Sequence, residues 1–329
     1  MRTRITGCLY ILAVAALTAL IIAPAGAQEL KLWRHGVVEA KSDAGIVFMA
    51  SKRGFAEKQG LNIEIKQFKG DTLALKALLA GELDSYEGNP GSPIIAASRG
   101  ADIKLIGCYW PGLTYAIYSK TSINGIADLK GKTLAISAPG ALPDLVVRAV
   151  LAENHLSAAD VKFTIMGSDA DRFKALAAGI VDAAAASSGF APVAKKAGVK
   201  LLVHAIEAVP NYVRFCIYST GKTLAARNDD AARFLAAEMA GFSHALANRD
   251  QTIELTREVT HAQPDNLLAA FTFDEVKKYS AVDPNMPIPM NKLAWLRDLL
   301  VTTGNLTKPV DLDKFVDADV RTKALQIAK

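Results

Sequence analysis

The sequence predicts an α/β protein of two lobes, each with a mainly parallel sheet flanked by helices. Short apolar segments alternate with helical patterns between residues 31 and 204, as in parallel strands joined by crossover helices. A repeat supports the division: six of the nine residues in 76–84 recur in 174–182, at a constant offset of 98 residues. Because similar apolar segments and turns flank both copies, we expect one copy in each lobe.

The first lobe is predicted from four apolar segments with strand character. Helical patterns lie between them, and Gly60 and Gly81 stand just past two helix ends, where a left-handed cap is favoured. The predicted strands are 31–37, 62–68, 83–88 and 103–110, and the predicted helices are 43–59, 71–80 and 92–99.

The second lobe has the same order of segments, and a helical region follows it. From about residue 222 onward the pattern is mostly helical. The predicted strands are 132–137, 161–166, 181–187 and 199–204, and the predicted helices are 142–154, 170–178 and 190–196.

The first 27 residues have the pattern of a secretory signal peptide. Two arginines precede an apolar run over 8–23, and small residues at Ala25 and Ala27 precede Gln28. The alternative is an uncleaved membrane anchor. We expect cleavage before Gln28, which places the mature protein in the periplasm.

Composition excludes several kinds of partner. Loss of residues 1–27 lowers the net charge from +5 to +3, because it removes two of the 38 basic residues and none of the 33 acidic ones. No basic stripe is recognisable, so we expect no nucleic-acid partner. No further apolar run approaches membrane-spanning length.

Four turns lie beyond the carboxyl ends of predicted strands, where α/β sheets bind ligands. If the two lobes face each other, these turns surround one cleft. Free N–H groups and helix dipoles at these turns suit a small anion or an acceptor-rich group. The alternative is that they are ordinary turns and caps. The turns span 35–45, 88–92, 137–144 and 187–190. Their candidate ligand-binding residues are His35, Gly36, Ser42, Asp43, Asn89, Gly91, Ser92, Ser137, Pro139, Gly140, Ala141, Ser187 and Ser188.

Within the third turn, "ISAPGALPD" joins an apolar strand directly to a helix. Pro139 and Gly140 shape a tight turn, Ser137 can donate a hydrogen bond, and Gly140 lets a ligand approach the backbone. In the first turn, His35 has two interpretations, a ligand contact or a strand cap. Asp43 is interpreted as a helix N-cap rather than a catalytic base.

Catalytic and metal-binding patterns are weak. The segment 125–133 resembles a phosphate-binding loop, but five residues separate its glycines where four are required, and it precedes its strand. The sequence contains no G-x-S-x-G or H-E-x-x-H motif, and its five histidines are scattered. We therefore predict binding rather than catalysis, without a metal or cofactor.

Aromatic and basic residues cluster where the first lobe ends and where the chain returns to it. Trp110 is a candidate to contact a flat ligand, and packing at the lobe junction is the alternative. Arg34 and Arg214 are candidates for an anionic ligand group, although surface positions are expected for both.

Five segments resemble the type 2 periplasmic solute-binding proteins of ABC importers. The resemblance is closest to binders of alkanesulfonates, taurine, nitrate and thiamine pyrimidine precursors. It rests on segments 48–65, 77–84, 122–137, 150–166 and 174–184. This family implies two lobes with mixed, mainly parallel sheets, joined by two crossover strands at about 115–120 and 212–219.

The resemblance also implies domain limits and a function. The first lobe would comprise 28–115 and 213–329, and the second lobe 116–212. The expected protein is a monomer that captures a small polar or anionic organic ligand and delivers it to an ABC importer permease in the inner membrane. The alternatives are an exported enzyme and a ligand-sensing domain on the same fold.

The implied topology places Cys108 and Cys216 on neighbouring antiparallel strands. Direct bridges between such strands are uncommon, so we expect two buried thiols, with a disulfide as the alternative.

Overall fold

The computed structural model describes residues 29–264 and 266–328. The predicted signal peptide lies outside the described residues. Within them, ten strands form two five-stranded sheets, which confirms the two-lobed α/β prediction. The strands are β1 Lys31–Val38, β2 Leu61–Phe68, β3 Ser85–Gly88, β4 Lys104–Trp110, β5 Tyr115–Lys120, β6 Thr133–Ile136, β7 Lys162–Ile165, β8 Ala183–Ser187, β9 Val199–His204 and β10 Phe215–Ser219.

The two sheets have the same internal order. The first is β2-β1-β3-β10-β4 and the second is β7-β6-β8-β5-β9. In each sheet four strands run in the same direction, and the fifth strand, β10 or β5, is antiparallel to both of its neighbours. The chain therefore passes between sheets twice, before β5 and before β10. We call the part built on β1–β4 and β10 the first lobe and the part built on β5–β9 the second lobe; the residue limits of the lobes remain a prediction.

Fifteen α-helices of the described residues cover the sheets or follow them. They are α1 Ala44–Val47, α2 Met49–Lys52, α3 Phe55–Lys58, α4 Asp71–Leu79, α5 Gly91–Ser98, α6 Leu142–Glu153, α7 Asp169–Ala177, α8 Ala191–Ala194, α9 Ala205–Ala208, α10 Gly221–Ala247, α11 Arg249–Thr260, α12 Leu268–Lys278, α13 Met290–Thr302, α14 Leu312–Phe315 and α15 Ala318–Ile327. No helix in the described part of the chain combines the length and apolarity needed to cross a membrane.

The repeat is visible in the fold. Helices α4 and α7 begin 98 residues apart, and each leads into a buried strand, β3 or β8. Gly81 and Gly179 follow these helices with φ of 79° and 75°, a left-handed conformation that glycine adopts without strain. The repeat therefore places equivalent elements at the same edge of each lobe.

Two expectations about local structure are wrong. The helix predicted over 43–59 is three short helices, with breaks at Phe48 and at Gly54, where Gly54 adopts a φ of 80°. Cys108 and Cys216 form a disulfide rather than two thiols. The register between β4 and β10 shifts here, so that Cys108 and Tyr109 together face Cys216. Such a bulge re-aims side chains, which lets neighbouring strands be bridged.

Candidate ligand-binding site

A cavity of about 70 Å³, which we call the inner cavity, lies between the two lobes. It borders the carboxyl ends of β1, β2 and β3 in the first lobe and of β6 and β7 in the second. Open α/β sheets bind ligands at such edges. The inner cavity is lined by Val38, Glu39, Lys41, Lys69, Gly70, Asp71, Asn89, Tyr115, Ser137, Ala141, Leu142, Pro143, Gly167, Ser168, Asp169, Arg172, Arg214 and Phe215.

Arg214 forms part of the cavity wall from within the first lobe and is only 1% exposed. Its Nη1 donates to Thr114 Oγ1 at 2.7 Å, and its Nη2 donates to Asp43 Oδ2 at 2.5 Å. The guanidinium carbon lies 4.3 Å from the centre of the Trp110 ring. The expected surface position of Arg214 is therefore wrong, because an ion pair and an aromatic face compensate for its burial.

Trp110 and Asp43 support Arg214 and do not line the inner cavity. Trp110 is fully buried and packs edge-on against Phe215, so its packing interpretation holds. Asp43 precedes α1 at the N-cap position, but its side chain makes no cap hydrogen bond. The N-cap interpretation is wrong for this side chain, since the carboxylate binds the buried guanidinium instead.

Asp169, the first residue of α7, accepts hydrogen bonds from side chains of both lobes. Lys41 Nζ donates to its Oδ2 at 2.8 Å, Tyr115 Oη donates to its Oδ1 at 2.7 Å, and Arg172 also donates to Oδ1. Burial raises the pKa of Asp169, but the charges of Lys41 and Arg172 outweigh that effect and hold the pKa well below its usual value. Asp169 is therefore an ionised carboxylate fixed to the second lobe.

Asp71, the first residue of α4, is the repeat equivalent of Asp169 and borders the same cavity. It is 9% exposed, and neither carboxylate oxygen has a hydrogen-bond partner among the described residues. Burial raises the pKa of Asp71 to about 7, and the nearby Ser92 hydroxyl and Asn89 backbone N–H lower it only in part. Gly88 leaves room for this carboxylate, because a Cβ there would collide with Asp71 Oδ1.

The backbone N–H groups expected to grip a ligand are mostly engaged already. Four of them donate to oxygens of their own turns: Gly91 to Asn89 Oδ1, Gly140 to Asp144 Oδ2, Ala141 to the Ala138 carbonyl, and Gly189 to Ser187 Oγ. Short polar side chains commonly satisfy helix starts in this way. The expectation of free amides around the cleft is wrong at these positions, and charged side chains dominate the cavity instead.

A second, more open cavity of about 490 Å³ adjoins the inner cavity, and we call it the outer groove. The two cavities share five lining residues: Glu39, Lys41, Lys69, Ser168 and Asp169. The remaining lining residues are Ala40, Ser42, Ala170, Asp171, Lys174, Ser187, Gly189, Phe190, Thr256, Thr260, Ala262, Asn266, Leu268 and Ala269. The Lys41–Asp169 ion pair lies at the boundary between the two cavities.

The structure brings part of the candidate set together around these cavities. Four candidates border the inner cavity: Asn89, Ser137, Ala141 and Arg214. Ser42 and Ser187 border the outer groove. Ser92 is half-buried beside Asp71, and Pro139 is exposed, and neither lines the two cavities.

Three candidates lie in contacts between the lobes. A Cβ on Gly91 would lie 2.7 Å from the Gly140 carbonyl oxygen, so the two backbones touch. Ser188 Oγ donates to Glu275 of α12, and burial raises the pKa of this carboxyl. Gly140 therefore contacts the first lobe, and Ile95 and Asn305 also lie close to it.

His35 and Gly36 are not in the cleft, so their expected placement is wrong. Strand β1 continues to Val38, and both residues lie inside it. His35 is 3% exposed, its Nδ1 is 2.8 Å from Ser85 Oγ, and burial lowers its pKa to about 3. A Cβ on Gly36 would lie 2.5 Å from Leu83 Cδ1, so a larger residue there would require the Leu83 side chain to move.

Other side chains at the site were missed in the sequence. Lys41, Lys69, Asp71, Asp169 and Arg172 supply most of the charge of the inner cavity. The repeat contained a usable signal for two of them, because Asp71 and Asp169 are 98 residues apart and each follows a predicted strand. Arg34, in contrast, pairs with Asp84 at 3.0 Å and does not line the inner cavity.

Metal binding has no candidate here: in residues 29–264 and 266–328, no group of three or more His, Cys, Asp or Glu side chains is arranged to hold an ion.

The strand order, the two lobes and the cavity between them define the periplasmic binding protein fold, and solved structures agree. The alkanesulfonate-binding protein SsuA of Xanthomonas axonopodis pv. citri is 21% identical, with a TM-score of 0.74 over 88% of this chain and 99% of that chain. The nitrate-binding protein NrtA of Synechocystis PCC 6803 is 13% identical, with a TM-score of 0.74 over 92% and 90%.

Sequence comparison gives the family. A protein of Brucella abortus (strain 2308), whose name gives binding as an expected function and states no ligand, is 24% identical over 88% of this chain and 91% of its own length. The family model described as NMT1/THI5 like matches residues 41–252. The chain belongs to the NMT1/THI5-like family.

Proposed function

We propose that this chain is an exported, periplasmic solute-binding protein that acts as a monomer. It holds a small polar or anionic organic ligand, of sulfonate, carboxylate or pyrimidine type, and delivers it to an ABC importer permease in the inner membrane. The observation that carries the proposal is the inner cavity, which both lobes line with charged side chains. A ligand that contacts both lobes favours the closed arrangement, which the permease then meets.

The charges of the inner cavity favour an acidic group on the ligand. Lys69 borders the cavity and forms no ion pair within the described part of the chain. Arg214 Nε is buried without a hydrogen-bond partner among the same residues. Buried donors gain free energy when an acceptor reaches them, and an anionic oxygen is a strong acceptor.

The relatives support the same class of protein. Those compared above are named for binding alkanesulfonate or nitrate, or for binding without a stated ligand. The predicted signal peptide and the fold both suit an exported protein. The predicted lobe limits, 28–115 with 213–329 and 116–212, place the inner cavity between the two domains, as this function requires.

Differential scanning fluorimetry tests the proposal on the mature chain. Alkanesulfonates, small carboxylates, pyrimidines and aromatic acids are each added at millimolar concentration. A ligand present at about 100 times its Kd stabilises the folded state by roughly 2.7 kcal/mol, which raises Tm by about 4 °C for a chain of this size. The absence of any shift across all four groups would contradict a solute binder of this kind.

A matched pair of lysine variants connects the shift to the inner cavity. Lys69→Met removes a cation that borders the cavity, and we expect a clearly smaller shift with acidic ligands. Lys76→Met changes an exposed lysine of α4 that lines neither cavity, and we expect the wild-type shift. Equal shifts in both variants would place the ligand elsewhere.

A further inference from the structure

Lys41 and Asp169 join the two lobes at the boundary of the inner cavity. Lys41 lies in the turn after β1, and Asp169 begins α7 on the second lobe. The Nζ–Oδ2 distance is 2.8 Å, and both residues line the inner cavity and the outer groove. The ion pair therefore stands between the two cavities.

The two partners are held differently. Asp169 is fixed to its own lobe by Tyr115 and Arg172, and Arg172 is in turn anchored by its Nε, which donates to the Ala185 carbonyl at 2.7 Å. Lys41 has no second ion pair within the described residues, and its side chain is 22% exposed. When the lobes part, Asp169 keeps its partners and Lys41 returns to water. The contact can break without leaving a buried charge unpaired, unlike a fully buried pair.

The size of the inner cavity gives this contact a consequence for the ligand. At about 70 Å³, the inner cavity has about one seventh of the volume of the outer groove. A ligand too long for the inner cavity can extend into the adjoining outer groove, which is about 490 Å³. Lys41 and Asp169 are two of the five residues that line both cavities, so a ligand that crosses this part of the boundary meets their ion pair.

We propose that the Lys41–Asp169 ion pair is a latch that closes the inner cavity behind a compact acid and limits the length of ligand that the closed protein accepts. This inference rests on the proposed function and adds a size limit and a release step to it. Breaking the latch opens the inner cavity to the outer groove. Long ligands then gain space, and short ligands leave faster.

The test uses straight-chain alkanesulfonates from methanesulfonate to octanesulfonate as probes, with isothermal titration calorimetry on the mature chain. In the wild type we expect hexanesulfonate to bind at least about tenfold more weakly than ethanesulfonate, because each methylene that does not fit costs binding energy. Lys41→Met removes the latch. Loss of its charge weakens all the probes alike, so the readout is the ratio of long-chain to short-chain affinity, which we expect to rise about fivefold or more.

Lys120→Met is the matched control. Lys120 forms an ion pair of the same length, 2.8 Å, with Asp182, but both partners belong to the second lobe and line neither cavity. We expect its affinity ratio to equal that of the wild type. An unchanged ratio in Lys41→Met, or equal affinities of the wild type for hexanesulfonate and ethanesulfonate, would overturn the latch.

A second measurement separates failure of the latch from failure of the proposed function. If the wild type binds no probe in the series, acid binding at this site is contradicted. Small-angle scattering of the ligand-free protein then still tests the latch. A larger radius of gyration in Lys41→Met than in the wild type and Lys120→Met supports it, and three equal radii overturn it.

Discussion

Asp71 and Asp169 stand at the same position of the two repeats and border one cavity from opposite lobes, yet only Asp169 has hydrogen-bond partners within the described chain. Their ionisation differs accordingly. Burial raises the pKa of Asp71 to about 7, whereas Lys41 and Arg172 outweigh burial at Asp169. The two aspartates therefore give the cavity a fixed negative charge on one side and a titrating group on the other.

Asp71 predicts a loss of stability as the pH rises. Its folded pKa of about 7 is above the unfolded value of about 3.9, so the folded state binds the proton more tightly. The stabilisation is complete below about pH 4 and is lost as the pH rises through about 7. Asp71→Asn lacks this titration, so we expect the variant to gain roughly 2–4 kcal/mol relative to the wild type between pH 4 and pH 8. Urea unfolding of both proteins at the two pH values measures this difference.

The comparison with the variant isolates Asp71 from other buried carboxyls. Burial also raises the pKa of Glu238 to about 8, but that contribution is present in both proteins and cancels. A difference between variant and wild type that stays constant from pH 4 to pH 8 would show that Asp71 does not titrate in this range.

The disulfide predicts a large difference between oxidised and reduced protein. Cys108 and Cys216 enclose a loop with a sequence separation of 108 residues, and closing a loop of about 100 residues stabilises the folded state by roughly 4–5 kcal/mol in the chain-entropy model. We expect Cys108→Ala, Cys216→Ala and the double variant to lose similar free energies of unfolding, since each removes the same bond. Urea unfolding with and without reductant measures the loss. A wild type whose midpoint is insensitive to full reduction would contradict this.

The sequence was informative about the fold because the fold depends on periodicity. The alternation of strands and helices and the repeat at 76–84 and 174–182 predicted four strands of each sheet, most of them within two residues, whereas β5 and β10 were expected only from the family resemblance. The turn predicted over 35–45 begins too early, because Gly36 reads as a turn residue. In the structure Gly36 continues the strand, and the Leu83 side chain packs closely against it from a distant segment.

The charged site was harder to predict because its partners are remote in the chain. Arg214 and Asp43 are 171 residues apart, and Lys41 and Asp169 are 128 apart. An arginine is expected at the surface because burial of an unpaired charge is costly. The carboxylate that compensates for burial of Arg214 is that of Asp43, and only the tertiary fold brings it close. The sequence around Arg214 does not indicate this pairing.

The contact between Ser188 and Glu275 predicts that removing the Ser188 hydroxyl destabilises the folded protein more as the pH rises. Burial raises the pKa of Glu275, and the Ser188 hydroxyl lowers it in part. Ser188→Ala removes this donor, so the folded pKa rises further and more stability is lost as the pH rises above the unfolded value of about 4.3. We expect a loss of roughly 1–3 kcal/mol at pH 8 and less at pH 4, measured by urea unfolding. Ser98→Ala, at an exposed serine, is the control and should show no such dependence on pH.

The contact between Gly91 and Gly140 predicts that one methyl group can keep the lobes apart. A Cβ on Gly91 would lie 2.7 Å from both the Gly140 carbonyl oxygen and Leu145 Cδ1, so Gly91→Ala must separate the lobes or strain the contact. We expect a larger radius of gyration by small-angle scattering and about tenfold weaker binding of ethanesulfonate. Gly125→Ala is the matched control, because a Cβ at Gly125 meets nothing within 4 Å. Equal scattering and equal affinity in the two variants would mean that the lobes close without this backbone contact.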